Sequence, residues 1–206
     1  MGHWCPLQPR AVATLLANIN APWWVAGGWA LDFFLGFETR SHDDLDVGVL
    51  RRDVTAVTAN FPGWEFFEAK SQALYRLEPG ESPRPEVNSL WCRPSSATGW
   101  SFELMLDEAD GDTWVFRRLP TIRRSLAEAI RRSPDGIPFL APEVQLLYKA
   151  RLPREKYLED FERVLPRLAH GERAWLRGAL SSVDPEHAWL TRLRETWEDP
   201  TGVAFE

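Results

Sequence analysis

Cysteine is scarce: Cys5 and Cys92 are the only two in 206 residues. A lone pair in so long a chain is no disulfide framework and points to a reducing, cytoplasmic setting. The histidines are few as well, at His3, His42, His170 and His187, and none stands at zinc-ligand spacing from another histidine or a cysteine. Long apolar runs are missing. The most apolar stretch, Ala21 to Phe37, is cut by Gly27, Gly28 and Asp32, which excludes a membrane-spanning helix. Met1 to Arg10 lacks the charged start and apolar run of a signal peptide. Pro6 stands where a myristoylation signal requires Ser or Thr. There is no internal repeat and no low-complexity tract.

What is present suits a globular protein. Hydrophobic residues make up 44% and charged residues 26%, which excludes a disordered tail or a fibrous repeat. A chain of this mass hides roughly 70% of its unfolded surface on folding, so it needs no metal or disulfide to hold a core. The length suits one to two domains. The net charge of −6 argues against a general nucleic-acid binder. Charge is uneven, however: Trp114 to Asp135 carries six arginines against Glu128 and Asp135, a local +4. Eleven tryptophans are many for this length. Most are expected in the core, because one indole buries a large apolar area; one or two would line a cleft.

The pattern predicts helix over Pro9 to Ile19, with Val12, Leu15, Leu16 and Ile19 on one face. Trp23 to Ala26 reads as a short buried strand, and Trp29 to Leu35 as a helix stopped near Gly36. In Asp44 to Leu50 the alternation of Leu45, Val47 and Val49 predicts a strand. Asp53 is placed to cap a short helix ending before Pro62. Further strands are expected at Trp64–Glu68, Ala73–Leu77, Val87–Cys92, Trp100–Leu106 and Thr113–Arg117, several separated by turn chemistry such as Asp110-Gly111-Asp112. After Pro120 the reading turns helical. Pro142-Glu143 opens a helix, and Arg154–Leu165, Glu172–Leu180 and Glu186–Trp197 follow with short connections, as in an antiparallel bundle. The expectation is therefore an α+β front over residues 1–120 and a helical domain over 121–206, with the boundary between Pro120 and Pro142.

Chemistry concentrates in two neighbouring segments. Asp44 and Asp46 lie two apart on an expected strand, so both carboxylates share a face while Leu45 and Val47 point to the core. Two such carboxylates repel unless a cation lies between them, and magnesium, octahedral and oxygen-loving, is the natural one. Solvated acids at a strand edge are the bland alternative. Sixteen residues before Asp44, Gly27-Gly28 separates a strand from a helix. Glycines there let backbone N–H groups approach a phosphate, and the helix N-terminus favours negative charge. No Lys-Ser or Lys-Thr follows, so this is not a P-loop, and it is not a G-x-G-x-x-G turn. A third carboxylate is expected on a neighbouring strand. Glu103 points away from the apolar face of Phe102, Leu104 and Leu106; Asp107, roughly 13 Å further along the strand, is the reserve.

Gly27-Gly28-Trp29-Ala30-Leu31-Asp32, then Arg40, then His42-Asp43-Asp44-Leu45-Asp46, resembles the nucleotidyltransferase superfamily, within it the aminoglycoside-2''-adenylyltransferase and lincosamide nucleotidyltransferase group. The tight likeness covers about Trp24 to Val47. A looser one runs through Phe102-Glu103-Leu104 and Leu140-Ala141-Pro142-Glu143 to Lys149-Ala150. The resemblance implies a mixed sheet with flanking helices followed by a helical bundle closing one side of a cleft. It implies a cytoplasmic, magnesium-dependent enzyme that moves a nucleoside monophosphate, AMP from ATP or another triphosphate, onto a hydroxyl of an aminoglycoside- or lincosamide-like acceptor, in antibiotic resistance. On that reading Asp44, Asp46 and Glu103 hold two magnesium ions, and Glu103 takes the acceptor proton. Gly27 and Gly28 face the triphosphate, Lys149 reaches the phosphates, and Arg40 steadies phosphate or pairs with Asp43. Asp32 and His42 are candidates for the acceptor, beside plainer structural roles. The third acid is Glu where the family often has Asp. Two other readings stand beside this one: a toxin-like nucleotidyltransferase acting on RNA, suggested by the +4 stretch, and a nucleotide-binding protein without catalysis. The resemblance leaves open the oligomeric state and the choice between resistance and metabolism.

Overall fold

A computed structural model describes residues 2–70 and 73–195. The chain divides into two compact units, Met1–Ala141 and Pro142–Glu206.

The first unit opens with helix α1 (Pro9–Leu16), Pro at its start, where a missing N–H costs nothing. Strand β1 (Trp23–Val25) leads through extended Ala26 into α2 (Gly27–Leu35). Gly27 takes a left-handed φ of 68°, and Gly36 ends the helix at φ 84° with its N–H on the Asp32 carbonyl. Then come β2 (Asp46–Leu50), α3 (Val54–Ala59), β3 (Trp64–Lys70), β4 (Ala73–Leu77), β5 (Ser89–Pro94) and β6 (Phe102–Asp110). The unit closes with β7 (Thr113–Val115), β8 (Arg123–Ser125), the single turn α4 (Leu126–Ala129), β9 (Ile130–Arg132) and β10 (Pro138–Leu140).

Among the described residues ten strands form one mixed sheet in the order β4-β3-β5-β6-β2-β1-β10-β9, with β7 and β8 continuing from the far end of β6. The pairs β2·β6 and β1·β10 are parallel; the other pairings are antiparallel. One face of the central strands is fully apolar. Val47, Val49, Phe102, Leu104 and Leu106 are all completely buried, and each such side chain contributes about 1.5–3 kcal/mol. Strand alternation then turns Asp46, Glu103 and Trp91 to the opposite face.

The stretch read as helical after Pro120 differs. Residues 123–140 supply three short strands and one helical turn to the first unit, because β10 pairs with β1 and β9. Three-residue strands carry too few positions for alternation to show, and four of these residues are arginines. Residues 121–141 thus belong with the sheet, not with the helices.

The second unit holds α5 (Pro142–Lys149), α6 (Glu155–Val164), α7 (His170–Val183) and α8 (Trp189–Glu195). Phe161 stacks on Trp189 at 4.2 Å, and His187 Nε2 donates to the Ala150 carbonyl at 2.8 Å. The fourth expected helix, Glu186–Trp197, begins later, at Trp189; its end lies outside the described residues. Cys5 and Cys92 are free thiols, Cys5 exposed and Cys92 buried. Among the described residues no helix is long and apolar enough to cross a membrane.

Candidate active site

The site is built at one end of the parallel β2·β6 pair. Asp46, the first residue of β2, lies in register with Glu103 on β6. Asp44 precedes the strand on an exposed loop instead of lying within it, so sheet alternation does not set its direction. The reserve acid, Asp107, is buried opposite Leu50 at the other end of the same pair. The Ala26 N–H donates to the Asp46 carbonyl at 2.9 Å, tying the turn before α2 to the start of β2.

The two glycines serve different neighbours. A Cβ on Gly27 would fall 2.3 Å from Asp46 Oδ2, so only glycine lets the turn close onto that carboxylate at its positive φ. A Cβ on Gly28 would meet the His42 ring at 2.5 Å and the Arg40 guanidinium at 3.0 Å. Arg40 also donates to the Ser41 carbonyl at 3.3 Å.

Behind the glycines lies a buried polar pair. His42 Nε2 and Asp32 Oδ2 are 2.6 Å apart, with side chains 3% and 5% exposed. The Thr39 hydroxyl donates to the other Asp32 oxygen at 2.7 Å, and the Trp29 ring lies against His42 at 4.4 Å. From the sequence, Asp32 is expected near Arg40; the pairing with His42, ten residues away, emerges only from the folded turn.

Glu103 is half-buried. Burial raises its pKa, and the Asp44 charge raises it further, while the donor side chains of Ser89 and Trp91 pull it down. Among the described residues no group of three or more His, Cys, Asp or Glu side chains is gathered into a ready metal cluster. In chemistry the donors do suit a hard cation. Asp44, Asp46 and Glu103 offer only carboxylate oxygens, and the repulsion between Asp44 and Glu103 is what a divalent ion would relieve.

In the second unit Lys149 is buried, its amine 2.8 Å from Asp160 Oδ2 and 4.5 Å from the Tyr157 ring centre. Three arginines of the basic stretch are engaged locally. Arg123 pairs with Asp110 at 3.0 Å, Arg132 donates to the Gly136 carbonyl, and Arg131 covers Phe34.

The mixed sheet with its flanking helices is the fold of solved nucleotidyltransferases. ANT(2'')-Ia in complex with adenylyl-2''-tobramycin superposes with a TM-score of 0.54 at 14% identity, covering 84% of this chain and 95% of that one. Lincomycin-bound LnuA, a lincosamide antibiotic adenylyltransferase, gives 0.51 at 16% identity, covering 74% and 91%. At these identities the likeness is one of fold. The family model for aminoglycoside-2''-adenylyltransferase matches residues 9–114, just over half of the chain, and the chain belongs to that family. A 2''-aminoglycoside nucleotidyltransferase of Escherichia coli is 43% identical over 47 residues, 21% of this chain and 27% of that protein. One from Klebsiella pneumoniae is 57% identical over 28 residues, 14% and 16% respectively. The matched segment thus spans about a quarter or less of these relatives.

Proposed function

We propose that the protein is a magnesium-dependent nucleotidyltransferase that moves a nucleoside monophosphate, AMP from ATP, to a hydroxyl of a small aminoglycoside- or lincosamide-like acceptor. The observation that carries this reading is the register match of Asp46 with Glu103, beside an Asp44 whose charge reaches Glu103. The names of the family and of the two antibiotic-bound neighbours support the acceptor class.

Asp44, Asp46 and Glu103 would hold the metal, Asp44 and Asp46 on the nucleotide side. Two magnesium ions, when bound, would neutralise the triphosphate and polarise the α-phosphate. The Gly27-Gly28 turn and Arg40 would orient the phosphates from the α2 side. Glu103 would hold the acceptor hydroxyl and take its proton. The acceptor oxygen forms a bond to the α-phosphorus as the bond to the bridging oxygen breaks, and pyrophosphate carries the negative charge away. Glu103 suits the base role because burial and the neighbouring Asp44 raise its proton affinity. Lys149 would bind phosphate, and Lys149→Met should then weaken nucleotide affinity.

The test is pyrophosphate release from each of four nucleoside triphosphates against aminoglycosides, lincosamides and RNA, with magnesium and with chelator. Release that needs magnesium and a small antibiotic acceptor is the expected result. Release with RNA alone, or none with any acceptor while nucleotide still binds, overturns it.

A further inference from the structure

We propose that Ser89 and Trp91 are positioning residues that hold the Glu103 carboxylate toward Asp46, with the N-terminal segment bracing Trp91 through Trp4. The inference rests on the reading of Glu103 as the base and goes beyond it, because neither β5 side chain is part of the acid set.

The sheet register places them. Trp91 on β5 is the direct cross-strand partner of Glu103, and Asp46 is its partner on the other side, so the three share one face in a lateral row. Ser89 lies two residues before Trp91 and therefore on the same face. Directly opposed residues such as Trp91 and Glu103 stand about 4.5–5.5 Å apart at Cβ, and a diagonal neighbour such as Ser89, opposite Met105, stands about 7–8 Å away, still within reach of a long side chain. Both side chains carry a donor, and both pull the Glu103 pKa down against the effect of burial. A glutamate has one more rotatable bond than an aspartate, so its oxygens sweep a wider arc unless fixed. Donors on one flank restrict that arc and leave the other oxygen free to face Asp46.

Trp91 is itself braced. The Trp4 and Trp100 rings meet it edge-on at 5.1 and 5.4 Å. Trp4 is set by the N-terminal segment, which runs beside Trp100: Cys5 N–H donates to the Trp100 carbonyl, and Trp100 N–H to the His3 carbonyl, both at 2.9 Å. A segment 87 residues away in sequence thus ends against the indole that stands cross-strand from the base. This accounts for part of the tryptophan excess as orientation of one carboxylate.

The experiment is a set of double-mutant cycles. Ser89→Ala and Trp91→Phe are made in the native chain and in Glu103→Gln, with Ser89→Thr as the conservative variant. Single-turnover rate and pyrophosphate release are read beside calorimetric affinity for a non-hydrolysable ATP analogue with magnesium, and a thermal melt. Trp91→Phe keeps a ring for Trp4 and Trp100 while removing the N–H. Each change should lower the rate about tenfold, the size of one hydrogen bond to a charged group, with nucleotide affinity within about twofold. Ser89→Thr should restore the Ser89 loss. In Glu103→Gln the same changes should cost nothing further. Equal losses in both backgrounds, or no loss in either, overturn the proposal even though the base survives. A Glu103→Gln protein with near-native rate overturns the base assignment itself, which separates the two failures. Should Trp91→Phe melt early, the Ser89 cycle decides alone.

Discussion

Asp32 and Glu103 are both withdrawn from water, and their surroundings differ in kind. Each oxygen of Asp32 has a partner, one in His42 and the other in Thr39, and the side chain is 5% exposed. Glu103 has donors in Ser89 and Trp91 but also meets the charge of Asp44, and its pKa rises. A compensated buried acid holds a turn in place. An opposed one stores repulsion that a cation or a proton can relieve, which is the usual condition of a working site. Asp160, ion-paired with Lys149 in the second unit, belongs with Asp32 in this respect.

The largest effects should therefore fall on the opposed acids. Asp44→Asn and Asp46→Asn are each expected to abolish transfer while the protein stays folded, since each removes a charge the metal needs. Turnover above a tenth of native in either would sink the metal model, as measured by pyrophosphate release. Glu103→Gln comes next. It keeps the shape and one acceptor oxygen, so turnover should fall by about 10² to 10⁴, the range of general base catalysis, with nucleotide affinity far less changed. Asp107→Asn is its control: Asp107 sits opposite Leu50, four residues from the Asp46–Glu103 pair. A dead Asp107→Asn beside a near-normal Glu103→Gln would reverse the assignment.

Much of this contrast is legible in the sequence, and the rest is hidden for a physical reason. Asp44, Asp46, Gly27 and Gly28 are singled out by local spacing and Glu103 by alternation against Phe102, Leu104 and Leu106, although Asp44 lies on the loop before β2 and not on the strand face that the spacing implies. Strand Ala73–Leu77 is expected from the pattern to the residue. Partnerships across the sheet are a different matter. Nothing within ten residues of Trp91 says that it faces Glu103, because register depends on how β5 and β6 pair. The Asp32–His42 contact is likewise made by the turn between them. Strands β8 and β9 escape because arginine fills four of their six positions, and β10 because it is short and opens on Pro138.

The compensated acids should register in stability. Breaking the buried Lys149–Asp160 pair with Asp160→Leu leaves the buried amine without its carboxylate and should cost about 3–5 kcal/mol. The double change Lys149→Met with Asp160→Leu should recover most of that loss in a urea melt. Asp32→Asn removes the charge that His42 and Thr39 share, with an expected cost of about 1.5–3 kcal/mol. Acceptor KM on the same variant separates this structural role from the substrate contact the resemblance implies. A melt unchanged by Asp32→Asn, together with a raised KM, would favour the substrate contact.

The smallest effect is the most particular to Glu103: the pH dependence of stability in metal-free buffer with chelator. A carboxyl whose pKa is raised in the folded state favours the protonated fold. Below its ordinary unfolded value both states hold the proton, and Glu103 costs nothing. As pH climbs from there through the raised folded value, the unfolded chain has released its proton while the folded one still binds it, so stability declines. Above the folded value the penalty is constant. Other carboxylates move the opposite way: the pKa values of Glu86 and Glu128 are lowered by their partners Lys70 and Ser125. The reading must therefore be the difference between the native chain and Glu103→Gln, which shares every other group. That difference should shrink the native protein's stability relative to the variant as pH rises across the window, then level off. Adding magnesium should reverse part of the decline, because the ion favours the ionised carboxylate. A difference curve flat in pH, with and without magnesium, would place Glu103 in the compensated class with Asp32.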